Sequence, residues 1–216
     1  MAKKNSRATR AKIVSAAWKL FYEQGYEDTT VEEIIEVSQT SKGSFYHYFD
    51  GKDALLSTLS SLFDEKYEEL TGLLTPEMTA MEQLLFLNRE LFHMIEDSIS
   101  LDLLARLYST QLTTNGEKHL LDHNRTYYKL LRKIIAKGQS EGQLSSRSNV
   151  NEMVKLYALC ERALLYDWCL CAGEYALTEY SAKVLPGFLS SFLPLFNRTF
   201  ILLSVKLSIC AISFTE

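Results

Sequence analysis

Apolar residues recur every three or four positions through most of the first 196 residues, with little of the strict alternation that marks strands. The three prolines and nine glycines leave long stretches uninterrupted, so the chain reads as all-α. Ile13, Ala16, Ala17, Leu20 and Phe21 form the stripe of a first helix over about 9–24. Gly25 supplies its left-handed stop and Tyr26 the apolar partner of that stop. Thr30-Val31-Glu32-Glu33 has the form of a capping box, in which the threonine hydroxyl accepts from the Glu33 amide and the glutamate reaches back to the Thr30 amide. The helix it opens carries Val31, Ile34, Ile35 and Val37 and gives way to the polar run Ser38, Gln39, Thr40, Ser41. Ser41 can cap a third helix, and Asp50-Gly51 is a turn signal that keeps it short. Two short helices joined by a tight turn predict a helix-turn-helix.

The third helix holds five ringed side chains in a row, Phe45 to Phe49. At 3.6 residues per turn they point in all directions, so they are not all core. Phe45 and Phe49 share a face and suit anchoring to the first helix, which leaves Lys42, Ser44, Tyr46, His47 and Tyr48 for the other faces. A phenol or imidazole hydrogen-bonds a phosphate oxygen, and a lysine or hydroxyl near a helix N-terminus reaches base edges in a major groove. Gly43 costs about 1 kcal/mol in helix propensity, which suggests that a close approach requires it.

Thr30-Val31, Ile34 and the run SKGSFYHYF followed by Lys52 resemble the DNA-binding domain of the TetR family of bacterial transcriptional regulators, over roughly residues 8–56. The resemblance implies that Lys42, Gly43 and Ser44 meet bases, that Tyr46, His47, Tyr48 and Lys52 hold phosphates, and that Thr30 caps the second helix near the DNA backbone. It implies a homodimer on a double-stranded operator, released by a small-molecule effector. The turn departs from the family pattern: Gln39 stands where a glycine is usual, and Thr40, where valine is usual, needs a hydrogen-bond partner if buried.

Beyond residue 51 the periodicity predicts helices over about 52–70, 76–97, 101–112, 117–141, 150–172 and 178–196, the last with a kink at Pro186-Gly187. Asn149 opens the helix over 150–172 as a cap, and Gly142 ends the one before it. That helix has two apolar stripes: Met153, Tyr157, Cys160, Leu164, Trp168 and Cys171 on one side, and Leu156, Leu159, Ala163, Tyr166 and Leu170 on the other. One core does not need both, so the last two helices are expected to form a dimer interface, with Leu185, Leu189, Phe192 and Phe196 in it. Phe92, Tyr108, Tyr127, Tyr157 and Trp168 are candidate walls of an effector pocket. The expected division is a DNA-binding domain over 1–56, an effector-binding and dimerisation domain over 57–196, and an apolar tail of no assigned role over 197–216.

Charge changes the picture only in its distribution. The net charge of −4 hides an N-terminal stretch, residues 1–20, with six basic residues and no acid. Four cysteines without a CxxC pair, and no leader-like opening, point to free thiols and a cytoplasmic location, and nothing reads as a membrane span. His119 and His123 stand at a metal-like spacing but at a polar helix start, so no metal is expected; nor is a cofactor. No nucleophile elbow, phosphate loop or paired carboxylates argue for an enzyme. The competing expectation is a helical small-molecule-binding protein whose DNA-binding head is vestigial.

Overall fold

The computed structural model describes residues 2–113 and 118–194, with side chains from residue 6 onward. Phe196, the tail over 197–216 and the side chains of Lys3 and Lys4 lie outside the described residues. The regular elements described are all helical: α1 Ala2–Gln24, α2 Val31–Ser38, α3 Lys42–Tyr48, α4 Lys52–Leu56, α5 Leu59–Thr71, α6 Ala80–Ser98, α7 Leu101–Thr113, α8 Thr126–Ser140, α9 Val150–Leu170 and α10 Leu177–Leu189, with short 3-10 turns at His119–Leu121 and Ser190–Phe192. They form two compact units. The first comprises described residues within 1–63 and 99–122, and the second those within 64–98 and 123–194.

The first unit is built around α1. Its buried stripe of Ile13, Ala17, Leu20 and Phe21 meets Ile34 of α2 and Phe45 of α3. Each such side chain removed from water contributes about 1.5–3 kcal/mol before entropy is subtracted. Gly25, at φ +88°, ends α1 with its amide on the Phe21 carbonyl at 3.2 Å. The helix predicted over 52–70 is two helices, because Ser57 and Thr58 turn their hydroxyls onto the Ala54 and Leu55 carbonyls and the chain tightens there. Thr58 also accepts from the Trp18 indole at 2.9 Å, which joins this break to α1. α7 packs on α4 with Leu103, Leu104 and Leu107 buried.

In the second unit α6 packs against α8 and α10, and α9 packs against the same two helices. Thr79 and Glu82 form a reciprocal cap at the start of α6, a T-x-x-E signal that places the helix start at Ala80 instead of near residue 76. Glu96 caps α10 from a distance in sequence, accepting from the amides of Leu177 at 2.5 Å and Thr178 at 3.1 Å. The helix predicted over 117–141 begins only at Thr126. Ahead of it, Asp64 takes a bidentate grip on Arg125, at 2.9 and 3.2 Å, and accepts from the Tyr127 amide. His119 therefore lies in a 3-10 helix and His123 in a turn, and the helical spacing that would have paired them is absent. No metal-ligand cluster occurs among the described residues. α10 runs through Pro186 and stops at Leu189, short of the predicted 196.

The two stripes of α9 separate as expected. Met153, Tyr157, Cys160, Leu164 and Trp168 are buried, while Leu159, Tyr166 and Leu170 are 52, 45 and 66% exposed. The expected interface residues on α10 behave differently: Leu185, Leu189 and Phe192 are 0, 0 and 2% exposed and belong to the chain's own core. A side chain already covered by its own chain has no surface left for a second subunit, so these three are corrected to core. Among the large apolar side chains of α10, Tyr180 is exposed and Val184 and Phe188 are partly so.

Gly138 marks a close approach in this unit, where a Cβ would lie 2.5 Å from Ala80 Cβ and 2.9 Å from Leu144 Cδ1. Gly138→Ala is expected to destabilise the protein by about 1–3 kcal/mol despite alanine's better helix propensity. Urea melts followed by circular dichroism check this; a more stable variant would contradict the close approach.

Candidate nucleic-acid interface

The helix-turn-helix is held by local chemistry at each corner. At the start of α2, Thr30 Oγ1 accepts from the Glu33 amide at 3.2 Å, and Glu33 Oε2 accepts from the Thr30 amide at 2.7 Å and its hydroxyl at 2.8 Å. These bonds hold the Glu33 carboxyl below the usual carboxylate range. α2 ends at Gln39, in the left-handed region at φ 53°, with its amide on the Glu36 carbonyl at 3.0 Å. The strain anticipated from a glutamine in a glycine-like position is present, and Thr40 finds the partner it needs in Ser38, hydroxyl to hydroxyl at 2.8 Å. Ser41 then caps α3, accepting from the Ser44 amide at 3.1 Å.

Phe45 and Phe49 are buried at 0 and 4% exposure and orient α3. Lys42, Gly43, Tyr46 and His47 consequently face solvent, with Ser44 and Tyr48 half-buried beside them. Tyr48 donates to Ser6 of α1 at 2.9 Å, and its ring packs edge-on against His47. Ser6, Thr9, Gly43, Ser44, His47 and Tyr48 line one shallow concavity that joins the first turns of α1 to α3. Lys42 leans toward Glu32 at 3.4 Å; both are exposed, so the pair holds the lysine only weakly.

Lys52 has a different task from the one the resemblance implied. Its ammonium donates to three carbonyls, Tyr26 at 2.6 Å, Glu27 at 3.2 Å and Thr29 at 2.8 Å, and lies 4.3 Å from the centre of the Tyr26 ring. An ammonium has three protons, and all three are used inside the fold. Tyr26 is the hub of this corner. Its hydroxyl donates to Asp53 in a short bond, and the Arg106 guanidinium lies 4.9 Å from its ring centre while pairing with Glu27 at 2.5 Å and Asp102 at 2.8 Å. Burial first, then the bond to Asp53, pushes the phenol well above its ordinary range, so it stays a donor. Arg106, Asp53 and Ser6 were not legible as parts of this site, because their partners lie 79, 27 and 42 positions away in the sequence and no local pattern marks them.

The candidate effector walls are divided between the two units. Tyr108 lies on α7 in the first unit; Phe92, Tyr127, Tyr157 and Trp168 are buried in the second. Their polar tips are satisfied within it: Tyr127 donates to Glu161 at 2.6 Å, Tyr157 to the Leu84 carbonyl at 2.8 Å and Trp168 to the Tyr175 carbonyl at 2.9 Å. The buried carboxyl of Glu161, absent from the sequence expectations, is the centre of this group. Near it α6 and α10 border an open cleft of about 660 Å³ whose lining includes Leu85, Phe86, Asn88, Ser181 and Pro186.

The helices α1–α3 form a trihelical head with a capped, solvent-facing second helix of a helix-turn-helix. Residues 13–59 match the family model of bacterial regulatory proteins, tetR family. Among relatives, the regulator QacR of Staphylococcus aureus is 36% identical over 58 residues, 27% of this chain and 31% of that one. TtgR of Pseudomonas putida is 32% identical over 68 residues, 32% of each. These alignments span under a third of the relatives' length. Solved structures extend the likeness in fold to the rest of the chain. The TetR-family repressor FadR of Thermus thermophilus, in complex with lauroyl-CoA, superposes with a TM-score of 0.66 at 24% identity over 86% of this chain and 95% of that one. FadR of Bacillus subtilis, in complex with stearoyl-CoA, gives 0.63 at 22% over 85% and 99%.

Two substitutions separate fold from contact at this site. Gln39→Gly is expected to relieve the left-handed strain and raise stability by up to about 1 kcal/mol. Lys52→Met is expected to lower it by about 2 kcal/mol through the loss of charged hydrogen bonds. Thermal melts without DNA check both; an unchanged melting temperature for Lys52→Met would return that lysine to phosphate binding.

Proposed function

We propose that this protein is a transcriptional repressor that binds a palindromic operator as a homodimer in the cytoplasm and is released by a small-molecule effector. The observation that carries the reading is α3: Phe45 and Phe49 hold its inner face, and Lys42, Ser44, Tyr46, His47 and Tyr48 line the faces left open. In this reading Lys42, Gly43 and Ser44 meet base edges, Tyr46, His47 and Tyr48 meet phosphates, and the capped N-terminus of α2 at Thr30 lies near the DNA backbone. Ser6 and Arg7 on α1, at the same concavity or beside it, extend the phosphate footprint. Lys52 supports this surface from within.

Dimerisation is read from the unpartnered apolar stripe of α9, Leu156, Leu159, Ala163, Tyr166 and Leu170, continued by Tyr180 on α10. An open stripe of this length costs solubility unless it is covered, and a second copy presents the same stripe in a two-fold arrangement. The ligand-release part is supported by the cleft and buried polar cluster of the second unit, and by the acyl-CoA ligands of the two solved FadR proteins. Among the described residues no helix is long and apolar enough to cross a membrane.

Binding isotherms on an operator selected from random duplexes test the reading. Tyr46→Phe is expected to weaken binding to every duplex by about 3- to 10-fold, the worth of one phosphate hydrogen bond. Lys42→Ala is expected to lower the ratio of operator to random-DNA affinity by about 5- to 100-fold. If the wild-type protein showed no sequence preference at any salt concentration, the alternative of a ligand-binding protein with a vestigial head would replace this one.

Assembly is tested separately by sedimentation. Leu159→Glu is expected to give folded monomers, because the charge falls on an exposed position, whereas Leu189→Glu is expected to unfold the chain by burying an unpaired charge. A folded dimer for Leu159→Glu would move the interface elsewhere.

A further inference from the structure

Glu161 is the feature of the second unit that the fold does not require. It is 4% exposed, and no lysine or arginine nitrogen comes within salt-bridge distance of it among the described residues. Its carboxyl accepts from Asn88 Nδ2 at 2.9 Å and from the Tyr127 hydroxyl at 2.6 Å. Tyr157, one turn before it on α9, donates its hydroxyl proton to the Leu84 carbonyl at 2.8 Å. Burial disfavours the charged form and raises the carboxyl above its usual range.

Rings crowd the same place. Tyr67 of α5 and Tyr127 of α8 have centroids 5.0 Å apart, and Tyr127 and Tyr128 are at 4.8 Å. Asn88 Oδ1 accepts from Ser181 at 2.5 Å, and these two residues line the α6–α10 cleft, so the hydrogen-bond chain runs from the cleft to the carboxyl. The cleft also carries the carboxylates of Glu77 and Glu82 against one cation, Arg89, which is already paired with Glu90 at 2.8 Å and set over the Phe86 ring. The other titratable groups facing Glu161 are Cys160 and Arg162 on α9, and Arg162 is turned toward the Tyr128 hydroxyl at 3.3 Å.

A buried carboxyl with no paired cation, phenols clustered beside it and a hydroxyl–amide link from it to the cleft form an environment that a positive charge complements. We propose that the cluster of Glu161, Asn88, Tyr127 and Tyr157, entered from the α6–α10 cleft, binds an amphipathic organic ammonium ion, with Glu161 as its counter-charge. The inference deepens the ligand-release reading and rests on it for its regulatory meaning. On binding, the carboxyl gives its proton to the buffer and the resulting carboxylate pairs with the ammonium; no covalent bond changes. The apolar part of the ligand lies along Leu85, Phe86 and Pro186.

Calorimetry on the full chain without DNA tests this, with decylamine, decanol, decanoate and lauroyl-CoA as probes. The amine is expected to bind at least about ten-fold more tightly than the alcohol or either anion. At a pH below the folded pKa of Glu161, its heat is expected to change with the ionisation enthalpy of the buffer, as release of roughly one proton requires. Affinity is expected to rise with pH until Glu161 is ionised in the free protein. Glu161→Gln, which mimics the neutral acid, is expected to keep the helicity and operator binding and to lose the preference for the amine and the proton release. Equal binding of amine and alcohol, tighter binding of decanoate or lauroyl-CoA, or a preference unchanged in Glu161→Gln would each overturn the proposal. The wild-type buffer series decides the matter even if the variant fails to fold. A chain that binds the amine but no DNA keeps the site and loses the repressor reading; one that binds operator but prefers the anions does the reverse.

Discussion

The seating of Phe45 and Phe49 on the first unit's core is the constraint from which its surface follows. A helix of seven residues has fewer than two full turns, so two anchors four apart leave it almost no rotational freedom. Once those rings are buried, the outward direction of Lys42, Tyr46 and His47 is set by the 100° step of the helix. Few backbone hydrogen bonds hold so short an element, and its surroundings hold it in place: the Gln39 amide on the Glu36 carbonyl and the Ser41–Ser44 cap fix the two ends of the turn, and the core residues of α1 fix its depth.

Cations in this chain divide between building the surface and serving as part of it. Lys52 and Arg106 approach the Tyr26 ring and bind carbonyls and carboxylates, so they hold the loop after α1 and leave little charge for a ligand. Lys42, held only by an exposed pair, remains exchangeable. The difference is one of solvation. A lysine bound to three carbonyls against a ring must give up all of them to move, whereas an exposed pair at 3.4 Å loses under 1 kcal/mol when it opens.

The helical class, the capping box of α2, the αL stop at Gly25 and the burial of Phe45 and Phe49 were all legible because each depends on residues within one or two turns of each other. The two stripes of α9 were legible for the same reason. Which stripe of α10 faced inward was not: Leu185, Leu189 and Phe192 are as apolar as any interface, and only packing against α6 and α9 decides that they are core. Lys52 was misplaced because a phosphate contact and a carbonyl clamp call for the same side chain. Glu161 was hidden altogether. A glutamate in a helix reads as solvent-facing, and only the arrival of Asn88 and Tyr127 from other helices, 73 and 34 residues away, makes it an interior group.

That interior group also constrains how any effector must act. A neutral, fully hydrogen-bonded carboxyl is compatible with a closed core, whereas an ionised one is not unless a positive charge accompanies it. A ligand that supplies the charge therefore favours whichever arrangement of α6, α8, α9 and α10 holds the ionised pair, and it does so by its difference in affinity between the two arrangements and by nothing else. Tight binding alone would leave DNA affinity untouched. Shifting an operator-competent population from almost all to almost none takes a differential of about 5.5 kcal/mol, and a typical coupling of 1–3 kcal/mol reaches only part of the way. In the proposed dimer, two sites would reach that differential only with each near the upper end of the range, about 2.8 kcal/mol, so in that reading the exposed stripe of α9 and the buried carboxyl on the opposite face of the same helix serve one end.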